Sequence, residues 1–249
     1  MKTLIYSHLY HRPGASEEAV VRLRRLLDLW YEHLRGPGQY TGDVLLFSSL
    51  GGLERPGLLV SPFGAVPADA RRAFLQRVLW YDRVPSREYD VVLQLDLDAL
   101  AMSDVNRMFP SDERLWAAPS DLRMLEWRQA WTLLPKWRRG VHKLTGWRMA
   151  EMGVCACSVA SATTTWERNF GSWARLVRSH GGRPVPSLSD QSFLNLLFLK
   201  RTVPMATWSR DAIVHLNWDR SPDACLLHFP GGRKEHIPRF QKVGARWTA

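Results

Sequence analysis

Two aspartates separated by one leucine, Asp96-Leu97-Asp98, follow directly on the apolar run Val91-Val92-Leu93-Gln94-Leu95. Carboxylates are costly at the end of such a run, because taking an unpaired charge out of water is strongly unfavourable. One divalent cation would satisfy both. Mg²⁺ and Mn²⁺ prefer oxygen ligands and complete their shells with water and substrate phosphates. The run reads as a buried parallel strand. Ligands of open α/β sheets sit at the carboxyl ends of their strands, which is where this pair should lie. A helix N-cap at Asp98, starting a turn towards Ser103, explains the same residues without chemistry.

Three further stations follow. His228 ends the apolar stretch Leu226-Leu227-His228-Phe229 and precedes Gly231-Gly232-Arg233-Lys234. Imidazole is a metal ligand, glycines let the backbone approach phosphate oxygens, and Lys234 offers them a point charge. A structural strand end with a Gly-rich turn is the competing explanation. Ser189-Asp190-Gln191 with Asn195 opens a helix, where Asp190 could simply serve the helix dipole. Glu151 begins Glu151-Met152-Gly153-Val154, a charged residue leading into an apolar strand.

The elements that must position these residues alternate between strand and helix. Thr3–Ser7 reads as a first strand. Ser16 is the N-cap of a helix with Glu17 and Glu18 in its first turn and Val20, Leu23, Leu27, Trp30 and Leu34 at helical spacing, stopped by Gly36-Pro37-Gly38. Asp43–Ser48 is a second strand and Leu58–Val60 a short third. A helix is expected over Ala68–Tyr81 and a brief one over Ser103–Met108. Strands follow at Leu115–Ala118 and Met152–Val159, helices at Thr163–Ser179 and Ser189–Lys200, and strands at Ala212–Leu216 and Ala224–Phe229. The pattern predicts an α/β fold over residues 1–249 as one domain, without internal repeats.

The chain of 249 residues carries a net charge of +10 and has a pI near 10.0. That balance predicts an anionic partner: nucleic acid, lipid headgroups, or a phosphorylated or acidic substrate. Much of the charge lies in a basic, Trp-rich insertion over 122–148. There Trp127, Trp131, Trp137 and Trp147 interleave with Arg123, Arg128, Lys136, Arg138, Arg139, Lys143 and Arg148, and Trp247 with Arg239, Lys242 and Arg246 could extend the same surface. Aromatic rings stack on sugars or bases while cations hold phosphate or carboxylate; a solvated basic face over a tryptophan core is the alternative. Cys155, Cys157 and Cys225 have no zinc spacing. No stretch approaches the roughly 18 apolar residues of a membrane span, and Met1–Ser7 lacks a signal-type apolar region. A cytoplasmic protein is expected, with peripheral attachment at the inner membrane face as an extension of that reading.

In chain order, Asp96-Leu97-Asp98, Glu151-Met152-Gly153-Val154, Asp190-Gln191 with Asn195, and His228 with Gly231 and Lys234 resemble the motifs of the family 8 glycosyltransferases, the group of glycogenin and the bacterial lipooligosaccharide galactosyltransferases. The resemblance spans nearly the whole chain. It implies a GT-A fold, the nucleotide-diphospho-sugar transferase domain, with a mixed, mostly parallel central sheet flanked by helices. It also implies a metal-dependent hexosyltransferase-like activity: transfer from a nucleotide-sugar, a UDP-sugar for most of the group, with retention at the anomeric carbon. Asp96, Asp98 and His228 would ligate Mn²⁺ or Mg²⁺. The donor would be held by Ser7, His8, Tyr10, Arg77, Asp96, Leu97, Asp121, Gly231 and Lys234. Asp190, Gln191 and Glu151 would stand at the reacting carbon, Gln191 being a poor nucleophile and the two carboxylates better ones. Two departures stand out: Glu151 replaces the family asparagine, and Glu235-His236 replaces a Pro-Trp after the closing lysine. The acceptor is expected to be an anionic or lipid-linked glycan, or a protein, met through 122–148 at a membrane surface. Two other classes stay open: a nucleic-acid-binding module using the basic Trp-rich stretch, and a non-catalytic sugar-nucleotide binder on a similar sheet.

Overall fold

The computed structural model describes residues 1–11, 14–62, 88–123, 148–158, 205–209, 212–215, 224–229, 241–243 and 246–248. The expected helices over 68–81, 163–179 and 189–200 lie outside these residues, as does most of the 122–148 insertion.

A seven-stranded mixed sheet organises the described part. Its strands are β1 (Thr3–Leu9), β2 (Asp43–Ser48), β3 (Leu58–Pro62), β4 (Val91–Leu95), β6 (Leu115–Arg123), β7 (Arg148–Ser158) and β8 (Met205–Thr207). Their order across the sheet is β3-β2-β1-β4-β7-β6-β8. The first four run parallel, β7 runs antiparallel to both β4 and β6, and β8 is parallel to β6. A second sheet sets β5 (Ala99–Ala101) antiparallel to β10 (Leu226–His228), with β9 (Ile213–His215) parallel to β10. A two-stranded ribbon of β11 (Gln241–Val243) and β12 (Arg246–Thr248) completes the list.

Helix α1 (Glu17–Arg35) begins where the Ser16 side chain accepts the Ala19 N–H, 3.2 Å away. Leu27, Trp30, His33 and Leu34 recur along its buried face, as three- and four-residue steps require. Leu27, Trp30 and Leu34 join Ile5 and Leu9 of β1, Val44 and Leu46 of β2, and Val91, Leu93 and Leu95 of β4 in one core. The alternate residues of the same strands, Leu4, Tyr6 and His8, Leu45 and Phe47, and Val92 and Gln94, are buried too, so the sheet is covered on both faces. That is why β1, β2 and β4 read as near-continuous apolar runs rather than as alternating ones. Arg35 fastens the end of α1 by donating to the carbonyls of Tyr40, Gly42 and Gly57.

β1, α1 and β2 match the expected elements closely. β6 and β7 are longer than expected and pair Arg123 with Arg148, so residues 122, 123 and 148 belong to strands and the insertion proper is 124–147. The helix expected over Ser103–Met108 is a short 3-10 turn at Val105–Met108, capped by Asp104 rather than begun at Asp98.

Candidate functional site at the switch point of the sheet

The chain leaves β1 for β2 and β3 on one side and later returns to place β4 on the other. The strand order therefore reverses between β1 and β4. Carboxyl ends of parallel strands splay at such a switch point and leave a crevice. β1 ends there at Leu9, followed by Tyr10, and β4 ends there at Leu95, followed by Asp96-Leu97-Asp98.

On the sheet face opposite α1, Tyr6 donates its hydroxyl to Gln94 Oε1 at 3.0 Å. The His8 ring stacks on Phe47 with centroids 5.4 Å apart and meets Tyr6 edge-on at 5.7 Å. The register pairs Tyr6 with Gln94; carried two residues further, it sets His8 level with Asp96. Tyr10, just past the end of β1, is partly exposed. Ser7 lies elsewhere. It is fully buried on the α1 side of β1, away from His8, and its Oγ has no hydrogen-bond partner among the described residues.

Beyond β4 the chain makes a β-turn, closed by the Ala99 N–H donating to the Asp96 carbonyl at 2.9 Å. Asp98 occupies the third position of that turn and caps no helix. β5 follows at once and pairs Ala99 with His228. The Phe229 N–H donates to the Asp98 carbonyl at 2.7 Å, which fixes the backbones on either side. Asp98 Oδ1 and His228 Nε2 consequently stand 3.7 Å apart, at 5% and 4% exposure. This separation is too long for a hydrogen bond. Octahedral ligands of one ion at bond lengths near 2.1 Å stand about 3 Å apart when adjacent and about 4.2 Å when opposed, so the observed separation lies between the two.

Of the three expected metal ligands, two are therefore brought together. Among the described residues no three of His, Cys, Asp and Glu gather closely enough to hold one ion, so Asp96 does not complete a triad with them. Asp96 is partly exposed at the start of the turn and Leu97 is buried within it. The Asp98–His228 pair offers one carboxylate and one imidazole, two of the donors expected of the site, without the third. The backbones of Glu151 and Asp121 lie in β7 and β6, Glu151 directly opposite Ala118. Arg77, Asp190, Gln191, Gly231 and Lys234 lie outside the described residues.

Two supports escaped the sequence reading. One is the Tyr6–Gln94 bond beneath the crevice. The other is His33 on α1, whose Nδ1 is 2.9 Å from the Ala101 carbonyl at the far end of β5. Because that carbonyl only accepts, Nδ1 carries the proton. Burial holds the His33 pKa below the ordinary histidine value, against the carbonyl bond and the nearby Glu32, which raise it. The signal for His33 was present: it lies three residues after Trp30, on the helix face that Leu27, Trp30 and Leu34 define.

No protein-family model matches the chain, and no curated protein matches it. Among the described residues no helix is long and apolar enough to cross a membrane.

Proposed function

We propose that the chain is a metal-dependent glycosyltransferase of the GT-A type, moving a sugar from a nucleotide diphosphate, with a UDP-sugar as the expected donor. One observation carries the reading. Asp98 and His228, distant in sequence, meet as a buried carboxylate–imidazole pair next to the switch point of a mostly parallel sheet, which supports the ligand roles the resemblance implies for them. The mixed sheet, with its antiparallel strand beside the Asp-x-Asp strand, supports the same assignment.

Asp98 and His228 would hold Mn²⁺ or Mg²⁺; Asp96, which the family pattern makes a third ligand, stands apart from the pair at the mouth of the turn. The ion's contribution would be to neutralise charge that gathers on the departing diphosphate. His8 and Tyr10 face the crevice from β1 and would flank the nucleotide, with Phe47 holding the His8 ring from behind. Lys234, Asp190 and Gln191 take their roles from the resemblance: Lys234 on the leaving diphosphate, the other two beside the anomeric carbon. Glu151 stands on β7 where the family has asparagine, and a carboxylate there would favour a donor sugar different from the usual hexose. The basic 124–147 segment would meet an anionic or lipid-linked acceptor.

Hydrolysis of a nucleotide-sugar without acceptor tests this reading. UDP- and GDP-sugars incubated with the protein should release nucleoside diphosphate when Mn²⁺ is present and not in excess chelator. Asp98→Asn, isosteric with the native residue, should reduce the rate at least about a hundredfold while the far-ultraviolet dichroism is unchanged. Full turnover in chelator would refute the metal assignment.

A further inference from the structure

We propose that His33 is a positioning residue for the Asp98–His228 pair, acting from α1 through β5; this rests on reading the pair as metal ligands. β5 is only three residues long, Ala99–Ala101. So short a strand is poorly held by its own ladder. Its register on β10 decides whether Ala99 lies opposite His228 and hence where Asp98 points. At the Asp98 end, the Phe229 N–H fixes the carbonyl of Asp98. At the other end, the Met102 N–H donates to Cys225 at 2.8 Å.

What anchors β5 to the rest of the molecule is the end of α1. The His33 imidazole, fully buried, donates to the Ala101 carbonyl. Val105 N–H donates to the Gly38 carbonyl at 2.9 Å, just past β5. Gly38 sits so close that a Cβ there would lie 2.8 Å from the Ala101 Cβ and 2.7 Å from the Leu34 carbonyl. The turn after α1 is thus pressed against Ala101, and His33 supplies the directional bond in that contact. Packing alone would hold β5 near the helix. The bond from Nδ1 fixes how far β5 can slide along it.

The hypothesis separates the donor from the volume of the side chain. An asparagine amide sits near the place of Nδ1 and can donate to Ala101. A glutamine amide sits nearer Nε2, and phenylalanine fills the space without donating. Three variants, His33→Asn, His33→Gln and His33→Phe, are compared with the native protein by two measurements on the folded chain. The first is the ¹H–¹⁵N position of the Phe229 and Ala99 amides, with those of β1 and β2 as internal controls. The second is Mn²⁺ affinity by calorimetry.

In His33→Phe and His33→Gln, the Phe229 and Ala99 amides should shift while β1 and β2 stay in place, and Mn²⁺ affinity should fall about tenfold. His33→Asn should restore both. Native amide positions and native affinity in His33→Gln would overturn the proposal, leaving His33 as a space-filling residue. If His33→Phe fails to fold, the Gln and Asn pair decides the matter. A native protein that binds no Mn²⁺ would refute the metal reading. The amide positions would then still decide whether His33 sets the register of β5, so the two failures are told apart.

Discussion

At the scale of single residues, the carboxyl ends of the strands hold buried polar side chains of a kind that cores normally exclude. His8, Gln94, Asp98 and His228 are all less than a tenth exposed. Burying such groups is costly unless each finds a partner, and for Gln94 that partner is Tyr6. The Tyr6–Gln94 bond is the floor of the arrangement, one strand turn beneath Asp96. Tyr6→Phe removes one donor and keeps the ring that meets His8 edge-on. It should destabilise the fold by about 1 kcal/mol in urea denaturation. Its effect on donor binding should exceed its effect on stability, because Gln94 precedes Asp96 by two residues on the same face. Unaltered donor affinity would mean that the floor is structural only.

The site residues were legible unevenly for a physical reason. Asp96-Leu97-Asp98 and His228 stand out because charged groups at the ends of apolar runs are rare. Ser7 was drawn into the same set by position alone, and strand alternation puts it on the core side. His33 was passed over because a lone histidine in an amphipathic helix carries no local sign of its partner, which lies on another element.

At the scale of elements, α1 does two jobs: it covers one face of the parallel strands and it braces β5. His33 links the second job to pH. Its pKa is lowered in the folded protein and is near 6.5 in the unfolded chain, so below that value the unfolded chain binds more protons. Stability should therefore be complete above pH 6.5. It should decline as pH falls from 6.5 towards the folded-state pKa, by at most about 1.4 kcal/mol per pH unit from this residue. Denaturation curves at pH 7.5 and 5.5 check this, since His33→Asn should lose less stability on acidification than the native chain. An equal loss in both would assign the decline to other groups.

Elements also separate what sequence periodicity can carry from what it cannot. β2 is legible to the residue as a bounded apolar run of six, and α1 to its cap because nineteen residues repeat the helical period several times. β5, β8 and the β11–β12 ribbon span three residues each, fewer than two repeats of any period. Asp98 looked like an N-cap for the same reason: a turn into a three-residue strand begins with the same residue types as a turn into a helix.

At the scale of the whole molecule, the described residues show a mixed sheet with a parallel half and a switch point, and one helix of the expected α/β pattern, α1, packed against it. The reversal of order between β1 and β4 could not be read from the sequence, because strand succession does not say on which side of β1 the fourth strand inserts. Once that order is given, the ends of β1 and β4 flank one crevice and the scattered motifs acquire a common location. The net charge of +10 suits an anionic donor and an anionic acceptor alike, so charge alone does not choose between a transferase and a nucleic-acid binder. Metal dependence does, since binding of nucleic acid to a basic surface weakens with salt and needs no Mn²⁺.

Thermal unfolding with a panel of UDP- and GDP-sugars, with and without Mn²⁺, decides whether Asp98 and His228 form a metal–diphosphate site, because ligand linkage raises the melting temperature without requiring an acceptor. At a hundredfold excess over Kd, at least one nucleotide-sugar should stabilise the native protein by about 2.7 kcal/mol, a rise of roughly 5–10 °C. The rise should require Mn²⁺ or Mg²⁺ and disappear in Asp98→Asn. An equal rise in excess chelator, or no rise with any nucleotide-sugar in the presence of Mn²⁺, would contradict the assignment of Asp98 and His228 to a metal–diphosphate site.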